Sequence, residues 1–221
     1  MHSLLNLVTP LHERTKRSYI ARVLDDKVHC MRRARQFDED YWDGPRRYGY
    51  GGYFYKPGRW KSVAQALLER YNLKPGDKVL DLGCGKGYLL YELQLLMPEL
   101  VLIGMDRSKY AITNAHPEFA GALLHGRIQN QLPFADKDIA LVISLGTLHN
   151  LMLHELARAL PEIERVGQTA YIMVESFRDE QEWFNLVAWC LTAETIMRPE
   201  DWIFLYDQYG YTGDYEFIYF I

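Results

Sequence analysis

Residues 79–88 read Val79-Leu80-Asp81-Leu82-Gly83-Cys84-Gly85-Lys86-Gly87-Tyr88: a short apolar run carrying an acid, three glycines at alternate positions, then a helix-patterned stretch. Glycines at 83, 85 and 87 let the backbone turn sharply and come close to a ligand, which a Cβ would obstruct. A strand feeding such a loop into a helix places a ligand cradle at the strand's carboxyl end. The alternation continues along the chain. Strand patterns fall at residues 78–82, 101–106, 123–125, 140–145, 170–174 and 215–220, and helical patterns at 61–71, 88–96, 109–118, 151–166 and 180–195. Strand then helix, repeated, predicts an α/β fold: a doubly wound, mostly parallel, Rossmann-like sheet with helices on both faces.

Composition sets the outer limits. A chain of 221 residues, 48% hydrophobic and 24% charged, is an ordinary globular protein with enough core to fold without metal or disulfide. Cys30, Cys84 and Cys190 are far apart and odd in number, which argues against a disulfide framework, a zinc site or a redox pair. No apolar run approaches the roughly 20 residues that span a bilayer, and the N-terminus lacks a signal-peptide pattern, so a cytoplasmic protein without membrane contact is expected.

Two segments precede the alternating region. Between residues 14 and 35, eight basic residues stand against Asp25 and Asp26, giving +6 in a chain of net charge −4. Tyr19, Ile20, Val23, Leu24, Val28 and Met31 recur at helical spacing, which predicts one amphipathic helix with a solvated basic face, either a packed accessory helix or one that binds an anion. Residues 41–60, YWDGPRRYGYGGYFYKPGRW, hold eight aromatic residues and five glycines, too many glycines for a helix and too many interruptions for a core strand. This segment reads as a structured loop, either a lid and pocket wall or a loop packed by its own rings. The expected division is an N-terminal helix and aromatic lid over residues 1–58 and an α/β domain over 59–221.

Glycine spacing weighs against a nicotinamide-dependent oxidoreductase, because position 88 is tyrosine where GxGxxG requires glycine. Asp81 would also repel a pyrophosphate. The DLGCGKG run resembles motif I of the class I S-adenosylmethionine-dependent methyltransferases. The resemblance continues through Val101–Asp106, Leu132-Pro133-Phe134 and residues 141–151, and covers residues 60–177, about half the chain. It implies S-adenosyl-L-methionine as cofactor, with Asp81, Gly83, Cys84, Gly85 and Gly87 around its methionine part. It also implies Asp106 on both ribose hydroxyls, with Arg107, Gln129 and Leu145 completing the site. A carboxylate accepting two hydroxyl donors suits a ribose. Many relatives place an acid before the LPF run to meet the adenine amine. Here Gly126-Arg127-Ile128-Gln129-Asn130-Gln131 stands there, so adenine would be read by the Gln129 or Asn130 amide or by backbone groups. The chain offers one C-terminal strand where the family ends in an antiparallel pair, which predicts six strands and a poorly recognisable seventh.

Methyl transfer chiefly requires the acceptor to be held near the methyl group. His149 and Glu175, just past the fourth strand and at the end of the fifth, are candidates for removing the acceptor's proton. A loop-shaping histidine and a helix-start glutamate are the competing readings. Gly146-Thr147-Leu148-His149 lacks the Asn/Asp-Pro-Pro-Tyr pattern of enzymes that methylate base amines. The expected partner is therefore a small polar molecule, such as a sugar derivative or an amine. Arg46, Arg47, Tyr48, Tyr50, Tyr53 and Tyr55 would be its contacts, and the two guanidinium forks suit a carboxylate or phosphate. Nucleic acid is disfavoured, although an RNA methyltransferase using the basic helix stays open, as do a non-catalytic cofactor-binding subunit and a homodimer.

Overall fold

The computed structural model describes residues 3–221. In chain order the elements are α1 (Thr9–Glu13), α2 (Tyr19–Leu24), α3 (Lys27–Ala34), α4 (Glu39–Trp42), a 3-10 turn (Arg46–Tyr48), α5 (Lys61–Arg70), β1 (Lys78–Leu82), α6 (Tyr88–Leu96), β2 (Val101–Asp106) and α7 (Lys109–Thr113). They continue with β3 (Ala122–His125), β4 (Ile139–Leu145), a second 3-10 turn (Leu148–Asn150), α8 (Leu153–Val166), β5 (Gly167–Glu175), α9 (Glu180–Trp189), α10 (Pro199–Gln208) and β6 (Asp214–Ile218). The six strands form one sheet in the order β3-β2-β1-β4-β5-β6, and every pairing is parallel.

Strand alternation divides the core between the two faces. Leu80 and Leu82 of β1, Val142 of β4 and Ile172 and Val174 of β5 pack with Leu156, Leu160 and Ile163 of α8 and Trp202 and Tyr206 of α10. Val79, Leu141, Ile143 and Tyr171 point the other way, against Val63 and Leu67 of α5 and Leu89, Leu90 and Leu93 of α6. Helices on both faces explain why these strands read as almost continuous apolar runs. No helix among the described residues is long and apolar enough to cross a membrane.

Several sequence expectations are corrected. Among the described residues there are six strands. Where a seventh was expected, the N-terminus lays a single parallel bridge, Leu4 to Tyr215, along the outer edge of β6. The helix expected over 180–195 ends at Trp189, because Cys190 turns extended. Helix α10 escaped notice despite Pro199 at its start and Glu200 and Asp201 in its first turn, which are helix-start signals.

The basic segment differs most from expectation. Asp26 adopts a left-handed conformation (φ 42°) and splits the expected helix into α2 and α3. The faces are also reversed, with Ile20, Val23, Leu24 and Val28 exposed, Leu24 at 79%. Several of the cations turn inward, while Arg14, Lys16, Arg32 and Arg33 stay exposed. Lys27 Nζ donates to the carbonyls of Ala188 and Cys190, both at 2.6 Å, and Arg22 Nε to that of Trp189 at 3.4 Å. These carbonyls end α9, where backbone acceptors lack helical partners and the helix dipole favours positive charge.

Candidate active site

Sheet order reverses between β1 and β4, and a crevice opens there at the carboxyl ends of the strands. Two joined lobes occupy it. The larger, about 360 Å³, lies over Asp81, Gly83 and Gly85 and reaches His149, Glu175 and Trp189. The smaller, about 80 Å³, lies over Asp106, Arg107, Ile128 and Gln129. Trp42, Tyr50, Gly83 and Leu145 line both.

Parallel register places the two acids. Asp81 pairs with Gly104 one strand over, and Asp106 closes β2 opposite His125. Asp106 Oδ2 accepts the Gly85 amide at 2.8 Å and Oδ1 the Ser108 amide at 2.7 Å. Each oxygen thus keeps capacity for one more donor. Burial pushes the Asp106 carboxyl up, and amides from Ser108 and Gly85 pull against that. Asp81 is 5% exposed and is not ion-paired with any described residue; burial, and then the charge of Asp106, push its pKa up to about 7. An uncompensated buried acid of this kind suits a cationic ligand.

The glycine loop is as open as its sequence requires. A Cβ on Gly83 (φ +87°) would lie 2.1 Å from Thr147 Oγ1, and one on Gly85 (φ +56°) 2.8 Å from the Trp42 ring. Gly87 (φ +73°) starts α6 and lies off the cavity lining. Cys84 is buried on the wall of the larger lobe. Arg107 packs its guanidinium 4.7 Å from the Phe37 ring centre. Gln129 donates its amide to Glu155 Oε1 at 2.8 Å, so its own carbonyl oxygen remains an available acceptor.

His149 and Glu175 meet at the back of the larger lobe, with Nε2 and Oε2 3.5 Å apart. The Cys190 thiol donates to the same Glu175 oxygen at 2.7 Å. His149 is held by its carbonyl, which accepts the amides of Glu194 and Thr195, and its buried Nδ1 has no hydrogen-bond partner.

The aromatic segment walls the larger lobe with Tyr41, Trp42, Tyr50 and Tyr53. Trp42 and Tyr50 are stacked with ring centroids 5.4 Å apart, and Tyr53 stacks on Tyr88 at 5.0 Å. Asp43 fastens this wall to the glycine loop, since both its oxygens accept from the buried Lys86 Nζ at 2.7 Å. Of the expected acceptor contacts, Arg46, Tyr50 and Tyr53 line the cavity. The other three do not. Arg47 pairs with Asp25 at 2.8 Å, Tyr48 stands against His29, and Tyr55 donates to Glu92 and packs on Tyr91 and His116. The 3-10 turn at 46–48 directs neighbouring side chains apart, so that Arg46 and Arg47 cannot both face the cavity. Sequence reasoning missed Trp42, His12, Arg17, Arg22, Trp189 and Cys190, all of which line the larger lobe. Trp42 carried a signal as part of the aromatic segment, and Arg17 and Arg22 as part of the basic one; His12, Trp189 and Cys190 carried none. Burial, and then the charge of Arg17, lower the His12 pKa to about 4.

A Rossmann-like sheet whose glycine loop and two strand-end carboxylates open on one cleft is the arrangement of the class I S-adenosylmethionine-dependent methyltransferases; the sheet here is parallel throughout and lacks their antiparallel strand among the described residues. The chain belongs to the methyltransferase-domain family, which residues 73–209 match. It is 27% identical over 164 residues to the malonyl-[acyl-carrier protein] O-methyltransferase of Legionella pneumophila, covering 63% of this chain and 57% of that protein. It is 27% identical over 137 residues to the bovine (Bos taurus) U6 snRNA (guanine-N(2))-methyltransferase THUMPD2, covering 55% and 26%. The chain therefore spans little over half of one relative and a quarter of the other. A solved S-adenosylmethionine-dependent methyltransferase from Archaeoglobus fulgidus shares the fold, with TM-score 0.53, 22% identity and 68% of each chain covered.

Proposed function

We propose that the protein transfers a methyl group from S-adenosyl-L-methionine to an oxygen or nitrogen of a small polar molecule. One observation carries this reading: Asp81 and Asp106 are buried, are ion-paired with none of the described residues and flank a glycine cradle that leads into the cavity holding His149 and Glu175. The donor groups fit that cofactor. Asp106 has free acceptor capacity for two ribose hydroxyls, and Asp81 for the cationic methionine end. Ile128, Arg107 and the free carbonyl of Gln129 would meet the adenine, the carbonyl accepting from its amine.

When bound, the cofactor supplies an electrophilic methyl: the acceptor's lone pair forms the new bond as the carbon–sulfur pair leaves on sulfur. The chain's own residues do the remaining work. The wall of Trp42, Tyr50 and Tyr53 excludes water and limits the approach of the acceptor, which is where positioning lowers the barrier. The pair of His149 and Glu175 takes the acceptor's proton, with Cys190 orienting the carboxylate.

The bovine relative's name assigns it an RNA substrate. What favours a small acceptor here is that Arg17, Arg22 and Lys27 are turned into the molecule, which takes three of the basic segment's eight cations away from a phosphate-binding surface. The test is calorimetry with S-adenosylmethionine, S-adenosylhomocysteine and NAD, followed by S-adenosylhomocysteine release over a panel of amines, hydroxy compounds and acids. Selective cofactor binding with acceptor-dependent release is expected. Absence of cofactor binding overturns the reading, and binding without turnover on any acceptor favours a non-catalytic subunit.

A further inference from the structure

The larger lobe carries a positive corner that the transfer chemistry leaves unused. Arg17, Arg22 and Arg46 all line it, and their guanidinium carbons stand 5.6, 5.1 and 5.0 Å from the centre of the Trp189 ring. Their hydrogen-bond partners among the described residues are backbone carbonyls and one imidazole. Arg17 donates to the carbonyls of His12 and Thr15 and lies 3.1 Å from His12 Nδ1; Arg22 donates to the carbonyls of Trp189, Arg46 and Arg47; Arg46 donates to that of Gly49. Arg17 Nε is buried with no hydrogen-bond partner among the described residues. Among the described residues none of the three is in an ion pair, whereas Arg33, Arg35 and Arg47, from the same stretch of chain, each have an acid.

Three guanidiniums gathered on one ring repel one another. Burial and then Arg46 lower the Arg22 pKa, and for Arg17 burial is the largest influence, with Arg46 acting in the same direction. The acid nearest in the lobe is Glu175, already engaged by the Cys190 thiol and facing His149. His12 beside them is held neutral by burial, so it adds no charge of its own near pH 7. The cofactor would bring one carboxylate along with its two cationic groups. Glu175 and that single carboxylate leave the arginine corner with excess positive charge, which a second anion would offset. Guanidinium forks with free donors, backed by an aromatic face, are suited to a planar carboxylate or a phosphate.

We infer that the acceptor is an anion whose carboxylate or phosphate is held by Arg17, Arg22 and Arg46 beside Trp189, leaving its nucleophile toward His149 and Glu175. This rests on the methyltransferase reading above for the word acceptor, but the anion site itself does not. The experiment is calorimetry on the full chain saturated with S-adenosylhomocysteine, titrated with inorganic phosphate and with malonate against sodium chloride at matched ionic strength. Saturable binding of one anion is expected, and the tighter of the two assigns the class. Arg17→Gln and Arg46→Gln should each weaken it about tenfold, the loss of one charge-assisted contact, while S-adenosylhomocysteine affinity stays unchanged. Arg46 donates only to a loop carbonyl, so its variant serves if Arg17→Gln proves misfolded by circular dichroism. The proposal is overturned if neither anion binds saturably or if both folded variants bind as the parent does. It is also overturned if cofactor affinity falls with anion affinity, which would assign the arginines to the cofactor's own carboxylate. Should the parent chain fail to bind S-adenosylhomocysteine, the methyltransferase reading falls, and the same titration on the ligand-free chain still decides the anion site.

Discussion

Asp81 and Asp106 lie at the carboxyl ends of neighbouring strands, and burial pushes both toward the neutral form; at Asp81 the charge of Asp106 adds to burial and raises the pKa to about 7. A cationic group placed over Asp81 requires its ionised form, so ligand binding below pH 7 must release a proton. The affinity for S-adenosylmethionine should accordingly rise from pH 5 to pH 7 by up to about tenfold per unit and level off above it. Calorimetry at pH 6 in two buffers of different ionisation heat measures that proton, and Asp81→Asn should abolish it; a flat affinity between pH 5 and 7.5 would contradict the assignment. The sign for the ligand-free chain is opposite. A folded-state pKa raised above the ordinary 3.8 contributes stability below that value, which is lost as pH rises toward 7, and Asp81→Asn should flatten that slope. At Asp106 the expectation is simpler: Asp106→Ala removes two charge-assisted contacts, each about 1.5–3 kcal/mol, so affinity for S-adenosylhomocysteine should fall by at least about tenfold. Unchanged affinity would remove Asp106 from the ribose site. Both acids were legible in the sequence because a strand end fixes where a residue sits. The arginine corner was not legible, since Arg17 and Arg22 read like solvated surface until the carbonyls of His12 and Thr15 are seen to hold Arg17 and that of Trp189, at the end of α9, to hold Arg22.

Elements carry the aromatic wall. Residues 41–60 make no regular strand or long helix, yet they are pinned at Asp43, which takes Lys86 Nζ, the Tyr110 hydroxyl and the Tyr53 amide. Burial pushes the Asp43 carboxyl up, but the hydrogen bonds from Lys86, Tyr110 and Tyr53 outweigh it and hold it below the usual range. Lys86, one of the residues inside the glycine loop, has its ammonium almost wholly buried. Asp43→Ala would leave that ammonium buried without a carboxylate, a loss of about 3 kcal/mol, the low end for a buried pair because Asp43 is itself partly exposed. The variant should also be cut faster by chymotrypsin within residues 41–60, and S-adenosylhomocysteine should slow cleavage in the parent. Equal rates with and without ligand, and in parent and variant, would mean that the wall is held by ring packing alone. Composition disclosed that this segment is aromatic and structured. It could not disclose that Arg47, Tyr48 and Tyr55 face away, because a 3-10 turn has no hydrophobic period to read. The reversed faces of α2 and α3 have the same kind of cause: helical spacing locates a stripe, while the neighbouring element decides which stripe is covered.

At the scale of the molecule, the parallel sheet follows from repeated strand and helix patterns, but the way its two ends are joined does not. Glu216 on β6 is 1% exposed, and its carboxylate accepts the amides of Leu7 at 2.6 Å, Val8 at 3.1 Å and Thr9 at 2.6 Å, the Thr9 hydroxyl at 2.6 Å and the Tyr171 hydroxyl. It thereby serves the free amides at the start of α1, an arrangement that a helix N-terminus favours. Nothing local marks this contact, since the partners are about 208 residues apart and each looks ordinary in its own neighbourhood. Its consequence reaches the cavity: Val8, whose amide is anchored, and Leu11 and His12 just after it line the larger lobe. Glu216→Gln keeps the shape, removes the charge and turns one acceptor oxygen into a donor facing donors. The loss should be about 3 kcal/mol, and at about 2–4 °C per kcal/mol for a chain of this size the melting temperature should fall by about 6–12 °C. Glu200→Gln, an exposed acid in the first turn of α10, should move it by about a degree or less. Hydrogen exchange would localise the effect, with the amides of Leu7, Val8 and Thr9 losing protection before those of β1 and β4. If Glu216→Gln melts with the parent and keeps those amides protected, the N-terminal segment is held by the packing of Val8 and Leu11 alone, and the buried carboxylate is not its anchor.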